Sequence, residues 1–246
     1  MKKIFSYPLS ILHYIAYASF LIFFHPLQWI SIHIFGRKTH RKCVEILNFF
    51  LVNFLKITGN GVKFHFKNSI PENVPILFVP NHQSVYDIPP LIWFLRKYDP
   101  KFVGKKELDN GTPSIGINLK NNGSVLIDRK NQKESIAKLA EFAKYLSKNK
   151  YTGVIFPEGT RSRNGKLKPF KTTGLKIMMK YMPEGYIVPI TINNSWKIVH
   201  YGTFPIGLCN DVNFITHQPI PISSDSAENL IEKIRNEIAK DLQTEE

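Results

Sequence analysis

The sequence predicts an α/β fold, a mostly parallel sheet with helices on both faces, preceded by a pair of apolar helices. Three observations predict it. From residue 61 onward, short apolar or β-branched runs alternate with helical patterns, the sequence form of parallel strands joined by crossover helices. From Ile4 to Gly36 there is no Asp, Glu, Lys or Arg. Of the 246 residues, 43% are hydrophobic and 21% charged, which supports a buried core and excludes both a disordered chain and a polytopic membrane protein. The one compositional boundary, near Asn60, divides the chain into 1–60 and 61–246.

Within the first sixty residues, the uncharged stretch is dense in Ile, Leu, Phe, Tyr and Trp, with His13, His25 and His33 as its titratable members. Pro8 and Pro26 are expected to divide it, and the 17 residues from Leu9 to His25 sit at the short end of what crosses about 30 Å of hydrocarbon. Arg37, Lys38, Arg41 and Lys42 follow as a basic hinge. A second helical pattern then runs through Ile46, Leu47, Phe50, Leu51, Phe54 and Leu55, closed by Lys56 and Gly59. Tyr14, Tyr17 and Trp29 suit a boundary between water and lipid. The segment therefore reads as a membrane-binding hairpin lying in the interface, with a full span as the alternative and its basic residues cytoplasmic. Lys2, Lys3 and Ala16-Tyr17-Ala18 loosely fit a signal peptide, but the apolar run continues well past that point.

Beyond Gly61, Val62–Phe66 alternates apolar and basic residues like an edge strand, and Pro75–Val79 is a short buried strand. Leu91–Tyr98 reads as a helix opened by Pro89 and Pro90. Strands follow at Lys101–Gly104 and Ser124–Asp128, an amphipathic helix at Lys133–Lys148 and a strand at Thr152–Phe156. A helix at Thr172–Tyr181 precedes a β-branched strand at Ile187–Ile192. Val212–Ile222 is extended, with Pro219 and Pro221 suiting a sheet margin, and Ala227–Leu242 closes as a helix with Asp225 and Glu228 at capping-box spacing.

Lys and Arg outnumber Asp and Glu 33 to 19, a formal charge of +14 that favours phosphate-bearing partners. Cys43 and Cys209 are far apart, and only His40 stands near Cys43 at ligand-like spacing. Neither a disulfide framework nor a zinc site is indicated, and a reducing compartment is expected. The basic residues are not interleaved with aromatics in a nucleic-acid module.

Chemistry concentrates behind two predicted strands, where ligands collect in parallel sheets. After Pro75–Val79 comes Asn81-His82-Gln83-Ser84-Val85-Tyr86-Asp87. A histidine there, with an aspartate five residues on, can take a proton at Nε2 while the carboxylate holds Nδ1–H. This is the base half of a serine-protease triad without the serine, so the nucleophile is a hydroxyl brought by the substrate. A capping or surface role for both residues is the plainer alternative. After Thr152–Phe156 comes Phe156-Pro157-Glu158-Gly159-Thr160-Arg161-Ser162. Gly159 permits close backbone approach, Thr160 and Ser162 offer hydroxyls, and Arg161 offers a forked donor for phosphate. An internal Glu158–Arg161 ion pair shaping the loop is the competing reading. Gly159 to Gly165-Lys166 has one residue too many for a P-loop, and no G-x-S-x-G, H-E-x-x-H or G-x-G-x-x-G occurs.

Together these blocks resemble the NHxxxxD and FPEGTRS motifs of the 1-acyl-glycerol-3-phosphate (lysophosphatidic acid) acyltransferase family of glycerolipid acyltransferases. Lys105-Lys106-Glu107-Leu108, Gly123 to Arg129 and Ile187-Val188-Pro189-Ile190 resemble three further blocks in the family's order. The resemblance implies that 61–246 is an acyltransferase domain. It would move a fatty acyl group from acyl-CoA or acyl carrier protein to the free hydroxyl of 1-acyl-glycerol-3-phosphate, giving phosphatidic acid without an acyl-enzyme. It implies His82 as base, Asp87 as its orienting partner and Lys105 as the oxyanion donor. Arg161 holds the substrate phosphate, with Glu158, Gly159 and Thr160 forming the loop and Arg129 as a second phosphate ligand. Pro189 shapes the acyl-donor side. No metal or cofactor beyond the thioester co-substrate is implied, and the location is the cytoplasmic face of the inner or plasma membrane, on an anionic surface. One extra residue before Pro113 and Gly116 departs from the family pattern and points to a reshaped loop there. The same chemistry on glycerol-3-phosphate or a lyso-aminolipid, and a non-catalytic lipid-binding protein, are the alternatives.

Overall fold

The computed structural model describes residues 2–108, 111–128 and 130–243. Its first element, α1 (Lys2–Ile30), runs unbroken through Pro8 and Pro26 and continues as a π-helical turn over Ser31–Phe35. The expected division at the two prolines does not occur. Each proline removes one helical hydrogen bond, but neighbouring packing along the helix holds the backbone in line, as it does for prolines in membrane helices. Gly36, at φ +80°, turns the chain into α2 (Arg37–Phe54). The two helices are antiparallel, with the Phe20 ring 4.8 Å from both Phe50 and Phe54, and Phe24, Leu47 and Leu51 buried between them. Each such side chain contributes about 1.5–3 kcal/mol on full burial.

The α/β part follows in order: β1 (Gly61–Phe66), β2 (Ile76–Pro80), α3 (Ile88–Phe94), β3 (Lys101–Lys105), α4 (Ile115–Asn121), β4 (Val125–Ile127), α5 (Gln132–Asn149) and β5 (Thr152–Val154). It continues with α6 (Thr172–Tyr181), β6 (Tyr186–Asn193), α7 (Ser195–Ile198), β7 (Asp211–Thr216), β8 (Ile220–Pro221) and α8 (Ala227–Lys240). The sheet order is β1-β7-β6-β2-β5-β3-β4. From β6 to β4 every pairing is parallel; β7 runs antiparallel to β6 and carries β1 parallel to itself. β8 resumes the antiparallel pairing on β6 after a break, so the expected extended segment is two pieces. Pro189 lies opposite that break, and its carbonyl accepts from His217 N–H.

Strand β2 explains the layering. It is buried throughout, with Leu77 and Val79 facing α5, α6 and α8, and Ile76 and Phe78 facing α3 and the hairpin side. Several boundaries differ from the sequence expectations. β5 stops at Val154, which frees Ile155 onward to form a loop. α3 starts at Ile88 and stops at Phe94, with Arg96–Tyr98 a 3₁₀ turn. α8 is capped by Ser226, whose Oγ accepts from Asn229 N–H at 3.2 Å, while Asp225 accepts from Ser226 N–H and the Asn229 side chain. α4 had no clear sequence signal; Ser114 before it donates its N–H to His25 and its hydroxyl to the Leu21 carbonyl, fastening it to α1.

Candidate active site

Because β2 and β5 are adjacent and parallel, the loops leaving their carboxyl ends lie side by side. At the end of β2, the buried Asn81 amide accepts from Ile192 N–H at 2.6 Å and donates to its carbonyl at 3.0 Å, pinning the strand end to β6. The next residue, His82, presents Nδ1 to Asp87 Oδ2 at 2.8 Å. A carboxylate only accepts, so Nδ1 carries the proton and Nε2 is left as the basic nitrogen. The His82 side chain is 17% exposed and Asp87 is fully buried. The imidazole packs on the Phe156 ring, centroids 4.1 Å apart.

Asp87 is held by more than the histidine. Oδ2 also accepts from Gln83 N–H at 2.7 Å and Ser84 N–H at 3.0 Å, and Oδ1 accepts from the Ser84 and Ser195 hydroxyls. Ser84 caps the 3₁₀ turn Val85–Asp87, so the turn residue and the orienting carboxylate are locked together. Ser195 arrives from the turn after β6, and no sequence signal marked it. Gln83 Oε1 accepts from Ser195 N–H at 3.0 Å and fixes that turn in place.

The second loop is tied to the first through Glu158. Its carboxylate accepts from His82 N–H at 2.7 Å and from Lys168 N–H at 2.9 Å, while Ser162 N–H donates to the His82 carbonyl at 2.7 Å. Both backbone groups of His82 are thus held by the loop carrying Arg161. Burial raises the Glu158 pKa against the opposing pull of these two backbone bonds. The competing reading, a Glu158–Arg161 ion pair, is not made, because the buried carboxylate is taken up by backbone donors. Gly159 sits at φ +66°, a left-handed turn that suits glycine, and Thr160 and Arg161 are exposed beyond it.

The other predicted residues are placed apart. Lys105 is exposed at the carboxyl end of β3, two strands from β2 and on the same edge of the sheet, about 10 Å across at ordinary strand spacing. Pro189 is buried inside β6, opposite Val79 of β2 and three residues before the position of His82 in that register. Arg129 lies outside the described residues. Among the described residues, no group of three or more His, Cys, Asp or Glu stands together to hold a metal.

α1 packs behind this site with an inverted polarity. Its buried residues include Ser6, Ser10, His13 and Gln28, whereas Ile11, Leu12, Ile15, Ile22 and Phe23 are more than half exposed. With its π-helical continuation to Phe35 it is the one described helix long and apolar enough to cross a membrane, by length and composition, its most apolar 18-residue stretch having a mean hydropathy of 1.5.

Comparison with known proteins agrees with this geometry. Residues 61–193, which hold both loops, match the family described as Acyltransferase. The chain is 32% identical over 176 residues to the chloroplastic 1-acyl-sn-glycerol-3-phosphate acyltransferase BAT2 of Brassica napus, covering 72% of this chain and 49% of that one. It is 38% identical over 126 residues to the 1-acyl-sn-glycerol-3-phosphate acyltransferase of Helicobacter pylori, covering 50% of each. The chain thus spans about half the length of these curated relatives. The crystal structure of the 1-acyl-sn-glycerophosphate (LPA) acyltransferase PlsC from Thermotoga maritima superposes with a TM-score of 0.80 at 23% identity, over 98% of this chain and 96% of that one, and so shares the fold. Since the family match extends over more than half of the chain, this protein belongs to the acyltransferase family.

Proposed function

We propose that the protein transfers a fatty acyl group from a thioester, acyl-CoA or acyl carrier protein, to the free hydroxyl of 1-acyl-glycerol-3-phosphate, forming phosphatidic acid. The observation that carries this is the fastening of the His82–Asp87 pair to the Gly159–Arg161 loop by bonds from both His82 backbone groups. It sets the base beside the loop that carries Arg161, whose forked donor suits a phosphate. His82 Nε2 takes the proton of the acceptor hydroxyl as the oxygen attacks the thioester carbonyl, and buried Asp87 stabilises the imidazolium that forms. The tetrahedral oxyanion collapses, the C–S bond breaks, and His82 returns the proton to the leaving thiolate. Lys105, exposed at the carboxyl end of β3, is assigned to the oxyanion. Arg161 binds the acceptor phosphate, with Gly159 and Thr160 offering the loop around it and Glu158 holding that loop rather than touching an anion. Arg129 is assigned as a second phosphate ligand, and Pro189 as a buried support on the acyl-donor side. The thioester is a co-substrate, and the chemistry closes without a cofactor or a metal.

The inverted polarity of α1 supports docking on a membrane, since an exposed row of Ile, Leu and Phe over a buried row of Ser and His is matched by lipid on the outside. Anionic lipid, with the basic residues after Gly36 toward the cytoplasm, is the surface we assign. The test is product identity. Purified protein on vesicles with labelled acyl-CoA, and separately acyl carrier protein thioester, is given lysophosphatidic acid, glycerol-3-phosphate or a lyso-aminolipid. Labelled phosphatidic acid as the main product supports the assignment; label in another acceptor, or in none, refutes it.

A further inference from the structure

One link joins the apolar helix to the turn that carries Asp87, and the transfer chemistry does not account for it. Tyr86, the residue before Asp87, is buried against α1, with its ring 5.7 Å from His13 and 6.2 Å from Tyr17. Its hydroxyl lies 3.1 Å from His13 Nε2, and His13 Nδ1 lies 3.0 Å from the Phe54 carbonyl at the end of α2. The carbonyl only accepts, so His13 carries its proton on Nδ1, and Nε2 must accept from the Tyr86 hydroxyl. Burial pushes the pKa of that hydroxyl up, which keeps it a donor. The ring of His13 is completely buried although it stands on a helix whose outer face is apolar and open. His13, carried by α1, is thus held at both nitrogens, by the end of α2 and by the 3₁₀ turn of the site.

Resting on the reading above, we propose that His13 and Tyr86 are positioning residues through which the seat of α1 sets the geometry of the His82–Asp87 pair. Tyr86 N–H is bound to Ser84 Oγ at 3.1 Å, and the Ser84 N–H and hydroxyl are bound to Asp87. Moving the Tyr86 hydroxyl therefore moves a turn whose Ser84 N–H and hydroxyl are bound to the orienting carboxylate. Lipid on the outer face of α1 presses the helix onto the domain, and the His13–Tyr86 bond transmits that seat to the site. Neither residue touches substrate; each acts through Asp87.

The experiment uses the full chain on anionic vesicles, with Tyr86→Phe, His13→Leu, the double variant and His13→Gln. Tyr86→Phe and His13→Leu each lower kcat about five- to tenfold, the effect of one buried hydrogen bond, with KM for thioester and acceptor unchanged. Because both break the same link, the double variant is no slower than His13→Leu. His13→Gln recovers most of the rate, since its amide offers the same donor to Phe54 and the same acceptor to Tyr86. A purely structural role predicts lower thermal stability with unaltered kcat per folded molecule. That result, or singles whose losses multiply in the double variant, overturns the proposal. The second readout is independent of turnover: the downfield proton resonance of His82 Nδ1–H moves in Tyr86→Phe. If the wild-type chain transfers no acyl group at all, the proposed function fails, while a moved resonance still supports the link and an unmoved one refutes it.

Discussion

Asp87→Asn separates the charge of the orienting carboxylate from its shape. Asp87 accepts from His82 Nδ1–H, from Gln83 and Ser84 N–H, and from the hydroxyls of Ser84 and Ser195. An asparagine can put its carbonyl oxygen where Oδ2 stands, keeping all three N–H donors, and its amide nitrogen toward the two hydroxyls, which rotate to accept. The fold is retained. What is lost is the negative charge opposite an imidazolium that exists only while the proton is on His82. A hydrogen bond to a charged partner is worth about 1.5–3 kcal/mol, which places the loss in kcat at about 10- to 150-fold. The assay is the initial rate of thiol release from acyl-CoA in the presence of lysophosphatidic acid, paired with a thermal melt. KM for the thioester is expected to stay within about twofold, because binding does not use the charge. Asp87→Ala, by contrast, strands buried donors and should lower stability by about 3 kcal/mol or more. A folded Asp87→Asn protein that keeps kcat within about twofold of wild type would make the carboxylate a turn-holder only, with no part in stabilising the imidazolium.

Four further outcomes follow from the same geometry. Arg161→Lys, which exchanges a forked donor for a point charge, should raise KM for the phosphorylated acceptor about tenfold with KM for the thioester unchanged; equal rises in both would remove the phosphate assignment. Gly159→Ala forces a side chain into a turn at φ +66°, with its Cβ 2.9 Å from Lys171 Cδ, and should cost about 1–2 kcal/mol in a denaturant titration; an unchanged midpoint contradicts it. Glu158 has a folded pKa above its unfolded one, so its contribution to stability is full below the unfolded pKa and is lost as pH rises through the folded value. Glu158→Gln should flatten the fall in Tm across that window, and parallel Tm–pH curves would count against the burial argument. Ile22→Asp with Phe23→Asp alters side chains that are 63% and 61% exposed, so sedimentation with vesicles should drop at least 100-fold at unchanged Tm; full sedimentation would discard docking through this face.

Much of the fold was written in local pattern. Thr172–Tyr181 and the run at β2 follow from periodicity and from continuous burial between two helical layers. The site's two loops were legible because His82, Asp87, Glu158, Gly159 and Arg161 combine residue type with a position just after a strand. The rest depends on contacts that sequence does not encode locally. Pro8 and Pro26 speak for a broken helix, and only the packing of α1 along the domain keeps it whole. Ser195 is an unremarkable serine until β6 sets it beside Asp87, more than a hundred residues away in the chain. Glu158 looks like a partner for Arg161, but burial and two backbone donors claim it for the loop. The row of Ser and His on the inner face of α1 was hidden inside an apolar segment, since composition gives the amount of polarity and not the side it faces.

In the proposed reaction His82 activates an acceptor hydroxyl, and no acyl group is held on the protein. The most direct test is thiol release from acyl-CoA by the purified chain, with and without lysophosphatidic acid, alongside folded His82→Ala. Release is expected to require the acceptor, to yield phosphatidic acid in equal amount, and to fall at least 100-fold in the variant. Release that proceeds equally without acceptor, or that survives the loss of the imidazole, would contradict the proposed reaction.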